Sequence, residues 1–130
     1  MTEVDFEYTV RDAVEADRAF IVETTARVRT PYRMTWHDWD DYGRCWARTA
    51  FNDPTRSCKV VEAKGVILAF VLAVDGHIEM LYCKAEFRGL GFGQLLLDAA
   101  GMDDNVPCRA PTDSWRMWAS RRKIRFTVVK

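Results

Sequence analysis

Apolar and polar residues alternate along several short segments of this chain, and the alternation predicts strands. Residues 6–10 alternate, and residues 57–63 also read as a strand. Residues 66–74 are nearly all apolar, as a central strand is, and residues 77–83 read as a short buried strand. Turn signals at Lys64-Gly65 and Asp75-Gly76 separate the last three segments. The middle of the chain is therefore predicted to form three antiparallel strands in succession.

Helical spacing of apolar residues fills most of the remaining sequence. One helix is expected to follow Asp17 and to end at Thr30-Pro31, and a second to run from a cap at Thr35 to about Phe51. Further helices are predicted over residues 94–100, with Gly101 as C-cap, and from Thr112 to about Ser120; short strands are predicted at 106–110 and 123–129. A chain of this length and pattern is one α/β domain, residues 1–130.

Composition excludes several classes of protein. The chain is 48% apolar, which excludes a disordered protein, and its longest apolar run is too short to cross a bilayer. Its first residues lack the pattern of a secretory leader, and its four cysteines form no C-x-x-C pair, so we expect reduced thiols, no metal site and a cytoplasmic location. Net charge is zero, but residues 106–130 carry about +6 and the rest about −6.

A glycine-rich turn joins the predicted strand at 77–83 to the predicted helix at 94–100. It reads Arg88-Gly89-Leu90-Gly91-Phe92-Gly93. Glycines let a backbone approach an anion closely, and the free N–H groups of a helix start point at it. The alternating glycines do not fit the dinucleotide fingerprint G-x-G-x-x-G. The turn is therefore predicted to bind phosphate.

The order of residues around this turn resembles the core motif of the GNAT acyltransferase superfamily. That motif is a strand, then Arg or Gln, two variable residues, Gly, one variable residue, and Gly or Ala; here the matching residues are Arg88, Gly91 and Gly93. The similarity is contiguous over residues 78–97, and the family's opening pattern matches at Arg11, Ala13 and Asp17. The resemblance implies a mixed, mostly antiparallel sheet flanked by helices.

The resemblance also implies a co-substrate. In GNAT proteins the loop binds the pyrophosphate of acetyl-CoA, and the preceding strand pairs its backbone with the pantetheine arm. The residues that this assigns to cofactor binding are Leu81, Cys83, Arg88, Gly89, Leu90, Gly91, Phe92 and Gly93. Backbone N–H near Leu81 is expected to polarise the thioester carbonyl.

Glu79 is the leading candidate for the base that deprotonates an acceptor amine. A carboxylate in an otherwise apolar strand calls for a reason, and many family members carry one on this strand. The alternative is that Glu79 faces solvent or pairs with an arginine. His77, two residues back on the same face, is the second candidate, although a His beside a hairpin turn is more often only exposed.

The general acid is not fixed by the sequence. Many GNAT enzymes use a Tyr in the helix that here follows Thr112, but its place falls near Ala119 and no Tyr follows Tyr82. Cys108, Ser114, Tyr82 and solvent remain open. Longer family members also have two strands after this helix, where one is predicted here.

The sequence therefore predicts an acetyl-CoA-dependent N-acetyltransferase, acting by direct attack of an unidentified amine, as a monomer or homodimer with no membrane partner. One alternative is a relative of phage-encoded GNAT-like proteins that modify DNA bases, because Trp115, Trp118 and Phe126 lie among many arginines near the C-terminus. Another is a non-catalytic coenzyme-A-binding module, which the absent Tyr favours.

Overall fold

The structure is a computed structural model, and it describes residues 6–28, 36–103, 105–109 and 113–129. The helix break predicted at Thr30-Pro31 and the caps predicted at Thr35 and Thr112 lie outside these ranges.

Within these ranges six strands form one sheet, in the order β1-β2-β3-β4-β5-β6. The first three pairings along the sheet are antiparallel and the last two are parallel, so the sheet is mixed and mostly antiparallel, as expected. The strands are β1 (Thr9–Asp12), β2 (Ser57–Ala63), β3 (Val66–Val74), β4 (His77–Cys83), β5 (Asn105–Cys108) and β6 (Arg125–Val128).

The bounds predicted for β2, β3 and β4 are confirmed, because both hairpin turns lie where the turn residues indicate. Lys64 and Gly65 have φ of 51° and 78°, and Asp75 and Gly76 have 49° and 79°. Positive φ at both central residues is the type I′ geometry that matches the twist of paired strands. The bounds predicted for β1, β5 and β6 were wrong by up to three residues at either end.

The described part of the chain also contains four α-helices: α1 (Arg18–Val28), α2 (Trp36–Asn52), α3 (Phe92–Ala99) and α4 (Asp113–Arg121). Helix α3 begins earlier than predicted, at Phe92, with Gly91 as its N-cap. Its end is as predicted: Gly101 has φ of 75°, and the N–H of Met102 donates to Leu97 O at 2.9 Å. These features form a Schellman cap.

Strand β3 forms the centre of the core, with every residue from Leu68 to Val74 buried. The ring of Phe70 packs against Phe20 of α1 and Tyr82 of β4, with centroid distances of 6.2 and 5.4 Å. The crossovers through α3 and α4 lead in the same direction along the sheet, and right-handed crossovers then place both helices on one face.

Among the described residues, strands β4 and β5 are paired at one position, and we call this junction the seam. Ile78 is opposite Cys108, and the N–H of Arg109 donates to Ile78 O at 2.9 Å. Beyond that point β4 continues to Cys83 with no further β5 partner in the described residues. A splay between Ile78–Cys83 and the predicted strand 106–110 stays a prediction, because residue 110 lies outside the described residues.

Strand β4 also contains a bulge. Leu72 of β3 is opposite Met80, whereas the next residue, Ala73, is opposite Ile78, so Glu79 is an extra residue on β4. A bulge re-aims the side chain of the extra residue and is common beside functional sites.

The four cysteines are free thiols, with Cys58 and Cys108 buried, Cys83 half-buried and Cys45 exposed. Within the described ranges, no helix combines the length and apolarity needed to span a membrane.

Candidate active site

The glycine loop leads from β4 to the start of α3. After a short 3-10 turn at Ala85–Phe87, the chain turns at Gly89 and Gly91, with φ of 85° and 88°. The first i→i−4 bond of α3 is from Leu95 N–H to Gly91 O at 3.1 Å, so the three N–H groups before it have no partner within the helix. They lie at the positive end of the helix dipole. This geometry can bind an anion.

The glycines of the loop are required for two different reasons. Gly89 and Gly91 have positive φ and open space around them, so only backbone conformation restricts them. At Gly93 a Cβ would lie 2.7 Å from Cζ2 of Trp118. Because Trp118 belongs to α4, this contact cannot be inferred from the loop sequence.

The side chains of the loop differ in what they can offer a ligand. Arg88 is exposed, and its Nε donates to Cys83 O at 3.2 Å. Leu90 is half-buried. Phe92 is only 2% exposed, because its ring packs 5.1 Å from that of Tyr8 and against Phe6. Phe92 can therefore contribute only its backbone to a ligand.

Beyond the seam, β4 directs backbone N–H and C=O groups away from β3. The N–H of Lys84 donates to Leu68 O at 2.9 Å, which makes this pair hydrogen-bonded across β3 and β4. Hydrogen-bonded and non-hydrogen-bonded pairs alternate in antiparallel strands, so Leu81 and Cys83 direct their N–H and C=O groups away from β3. These are the two strand residues that the sequence assigned to the pantetheine arm.

The Cys83 side chain does not add a charged group to this edge. Burial raises the pKa of the Cys83 thiol, and its Sγ–H donates to Lys84 O at 3.5 Å. A neutral, hydrogen-bonded thiol is a poor nucleophile, so the backbone of Cys83 is the part available to a ligand.

Glu79 and His77 form a buried pair beside the seam. His77 Nε2 lies 2.8 Å from Glu79 Oε1, and the two residues are 7% and 4% exposed. The expectation that His77 is exposed was therefore wrong: this face of β4 is buried, and the two side chains are in contact there. Of the alternatives for Glu79, exposure to solvent is excluded.

Arg109 completes this cluster, and the sequence did not single it out. Its Nε lies 3.4 Å from Glu79 Oε1, and its side chain is 45% exposed. The pairing of Glu79 with an arginine, one of the two alternatives, is thus present together with the histidine contact. Arg109 is also the residue that closes the seam through its backbone, so its position is fixed by the sheet.

The candidates for the general acid lie in different surroundings. Tyr82 is half-buried against Phe70, and Cys108 is buried in β5. Ala119, at the place expected for the family's Tyr, is also buried. The choice of acid stays open.

Most basic residues after Arg109 have no acidic partner among the described residues. Five exposed cations form no salt bridge within the described residues: Arg116, Arg121, Arg122, Lys123 and Arg125. Elsewhere Arg11, Arg18 and Arg44 pair with Asp17, Glu15 and Glu23. Arg116, Lys123 and Arg125 line a groove of about 470 Å³ between α4 and β6.

The aromatic residues of this segment serve mainly in packing. Trp115 is buried, and its ring lies 6.4 Å from that of Phe126. Trp118 is half-buried against Gly93. The base stacking suggested by these residues in the sequence is therefore not open to Trp115.

Comparison with known proteins identifies the family. The profile of the acetyltransferase (GNAT) family matches residues 19–100. The chain belongs to the GNAT acetyltransferase family. This membership supports acyl transfer as its chemistry. No curated protein sequence matches the chain at a significant level.

Solved structures of GNAT proteins share the fold at low sequence identity. A protein from Pyrococcus furiosus described as an acetyl transferase has a TM-score of 0.69 at 16% identity, covering 95% of this chain and 97% of that one. A GCN5-related N-acetyltransferase from Rhodopseudomonas palustris has a TM-score of 0.62 at 15% identity, covering 93% and 84%. AAC(6')-Iy, in complex with the bisubstrate analog CoA-S-monomethyl-acetylneamine, has a TM-score of 0.61 at 12% identity, covering 95% and 93%.

Proposed function

We propose that this GNAT protein is an acetyl-CoA-dependent N-acetyltransferase that transfers the acetyl group directly to an amine. The observation that supports this most is the course of β4: it carries the buried Glu79, directs the backbone groups of Leu81 and Cys83 away from β3, and leads through the glycine loop to the start of α3. N-acetyltransferases among the structural neighbours, one of them bound to a coenzyme A analog, agree with it.

In this proposal the glycine loop and the outer edge of β4 bind different parts of acetyl-CoA. The pyrophosphate is assigned to the N–H groups of Phe92, Gly93 and Gln94, with Gly89 and Gly91 keeping the approach open and Arg88 supplying charge. The pantetheine arm is assigned to the backbone of Leu81 and Cys83. Such pairing would add a strand-like segment to the outer edge of β4.

The reaction needs a free amine and a stabilised oxyanion. Glu79 takes a proton from the acceptor ammonium, and the amine nitrogen then attacks the thioester carbonyl. The N–H of Leu81 donates to the developing oxyanion. The C–S bond breaks as the amide forms, and the thiolate is protonated by solvent or by one of the three candidate side chains.

His77 and Arg109 set the environment of that base. The bond from His77 orients the carboxylate, as a second group orients a catalytic base. Arg109 places a positive charge beside the same oxygen, and its side chain is partly exposed to solvent. We therefore expect acceptors with several positive charges, such as polyamines, to be poor substrates.

Thermal unfolding tests the cofactor assignment. Acetyl-CoA should raise the melting temperature, because a ligand that binds only the folded state stabilises it. Gly91→Glu places a side chain and a like charge in the loop and should abolish the rise. Gly101→Glu is the matched control: its φ of 75° is equally positive and its surroundings equally open, but it lies at the other end of α3. A rise that survives Gly91→Glu would contradict the proposal.

A nucleic-acid partner is the second candidate, and the unpaired cations of α4 and β6 favour it. Log affinity for duplex DNA should then fall with log salt at a slope near −0.9 per phosphate neutralised. Arg116→Glu with Arg125→Glu should flatten that slope, whereas Arg27→Glu with Arg48→Glu should not. Absence of DNA binding at low salt would exclude this candidate.

A third candidate is a coenzyme-A-binding module without turnover. A thermal shift with acetyl-CoA but no transfer to any amine in a broad screen would favour it over the enzyme. The cytoplasmic location and the choice between monomer and homodimer stay predictions.

A further inference from the structure

We propose that Trp118 and Arg122 of the α4 region form a second wall of the cofactor's phosphate site, with Arg122 binding a phosphate of acetyl-CoA. This rests on the proposed function, which places the pyrophosphate at the start of α3. Neither residue belongs to the glycine motif.

The indole of Trp118 reaches the first turn of α3. A Cβ at Gly93 would lie 2.7 Å from Cζ2 and 3.1 Å from Cε2 of Trp118. Cε2 carries the indole nitrogen, so the N–H donor of Trp118 lies next to the helix start that is assigned to the pyrophosphate. The absence of a side chain at Gly93 is what admits the ring there.

Arg122 is held on the same ring. Its guanidinium carbon lies 5.1 Å from the ring centroid of Trp118, within the range of a cation–π contact. Arg122 is exposed and forms no salt bridge with any acid that the structure describes. The ring therefore fixes an unpaired cation next to the glycine loop.

Positive charge on this side has no acidic partner in the part of the chain that the structure describes. The start of α3 carries the positive end of its dipole, and neither Arg88 nor Arg122 forms a described salt bridge, whereas Arg11, Arg18 and Arg44 each bond a carboxylate. Like charges on one side of a molecule repel one another, and a bound anion offsets that repulsion. Acetyl-CoA supplies two such anions, its pyrophosphate and its 3′-phosphate.

Arg121 offers a control of matched chemistry. It adjoins Arg122 in sequence, is equally exposed and has the same charge, but no contact with Trp118 is found for it among the described residues. A general electrostatic attraction of the basic segment would weaken equally on loss of either arginine. If Arg122 belongs to a specific phosphate site, loss of Arg122 should weaken acetyl-CoA binding more than loss of Arg121.

The test is calorimetric titration of acetyl-CoA into four variants at low salt. Arg122→Gln should weaken binding about tenfold, as expected for loss of a charge-assisted hydrogen bond. Arg121→Gln should weaken it less than about threefold. Trp118→Ala should weaken acetyl-CoA binding as much as Arg122→Gln does. Trp118→Phe keeps an aromatic ring, so its affinity should lie between those of Trp118→Ala and the parent.

Titration of 3′-dephospho acetyl-CoA identifies the phosphate. A loss in Arg122→Gln that disappears with this analogue assigns the 3′-phosphate, and one that persists assigns the pyrophosphate. Equal losses in Arg121→Gln and Arg122→Gln would overturn the inference while leaving the proposed function intact. Failure of the parent to bind acetyl-CoA would instead overturn the proposed function.

Discussion

The contact between Gly93 and Trp118 predicts that Gly93→Ala destabilises the parent protein but stabilises a Trp118→Ala variant. Gly93→Ala places a methyl group 2.7 Å from Cζ2 of Trp118, roughly 1 Å closer than carbon atoms normally approach. The ring must move, and overpacking of this kind costs about 2 kcal/mol. The φ of Gly93 is not in the left-handed region, so the backbone accepts Ala.

Helix propensity acts in the opposite direction. Ala is favoured over Gly within a helix by about 1 kcal/mol. In the parent, Gly93→Ala should therefore lower the free energy of unfolding by about 1 kcal/mol, equivalent to about 4 °C in melting temperature. In a Trp118→Ala background the clash is gone, and the same substitution should raise it by about 1 kcal/mol.

Urea denaturation of the four proteins of this cycle measures the coupling, which should be about 2 kcal/mol. Gly89→Ala is the control, because its cost comes from a φ of 85° and no atom lies within 4 Å of the added carbon. Its cost should be the same in both backgrounds. If Gly93→Ala changed the free energy of unfolding equally in the parent and in the Trp118→Ala background, the packing of Trp118 on α3 would be refuted.

Two further predictions concern the candidate base and the start of α1. Glu79→Gln should lower the rate of acetyl transfer ~10²–10⁴-fold at neutral pH. The thermal shift with acetyl-CoA should be retained, and the loss should shrink at high pH, where the amine is already free; equal rates would assign the base to His77 or water. Asp17 accepts bonds from Arg11 at 2.7 and 3.1 Å and from Val14 N–H at 2.8 Å, and the Arg11 bonds lower the pKa of Asp17. Asp17→Asn should therefore cost about 1–3 kcal/mol at pH 7. This contribution is full above the ordinary pKa of an Asp, about 3.9, and is lost as pH falls through the lowered value. A difference in unfolding free energy that did not shrink at acid pH would contradict this account.

The sequence was sufficient for the central hairpins and for the glycine loop. Lys64-Gly65 and Asp75-Gly76 require positive φ at both central residues, so local chemistry alone set the bounds of β2, β3 and β4. Strand β1 was placed too early because Phe6 and Tyr8 alternate like strand residues, yet they pack on Phe87 and Phe92. Alternation of apolar and polar residues therefore does not distinguish a strand paired in a sheet from a segment whose rings pack in this way.

The side-chain partners at the candidate site could not be read from the sequence. Residues 77 and 79 share a face of β4, but the burial of that face depends on the rest of the fold, and no local signal marks it. Arg109 meets Glu79 only because β5 returns beside β4. The sequence could offer Glu79 and His77 as candidates on one face, but not the buried cluster that they form with Arg109.

In the described part of the chain one pairing joins β4 to β5, and this has a consequence for how the protein opens. Strands β5 and β6 with helix α4 form one continuous stretch of chain, attached to the rest of the sheet by little backbone bonding. Amide protons of this stretch should therefore exchange through partial opening, at a lower free energy than those of β3. A ligand inserted along the free edge of β4 would touch both sides of the junction. Its binding should slow exchange most in β5 and β6, so that the substrate itself makes the two parts of the sheet unfold as one.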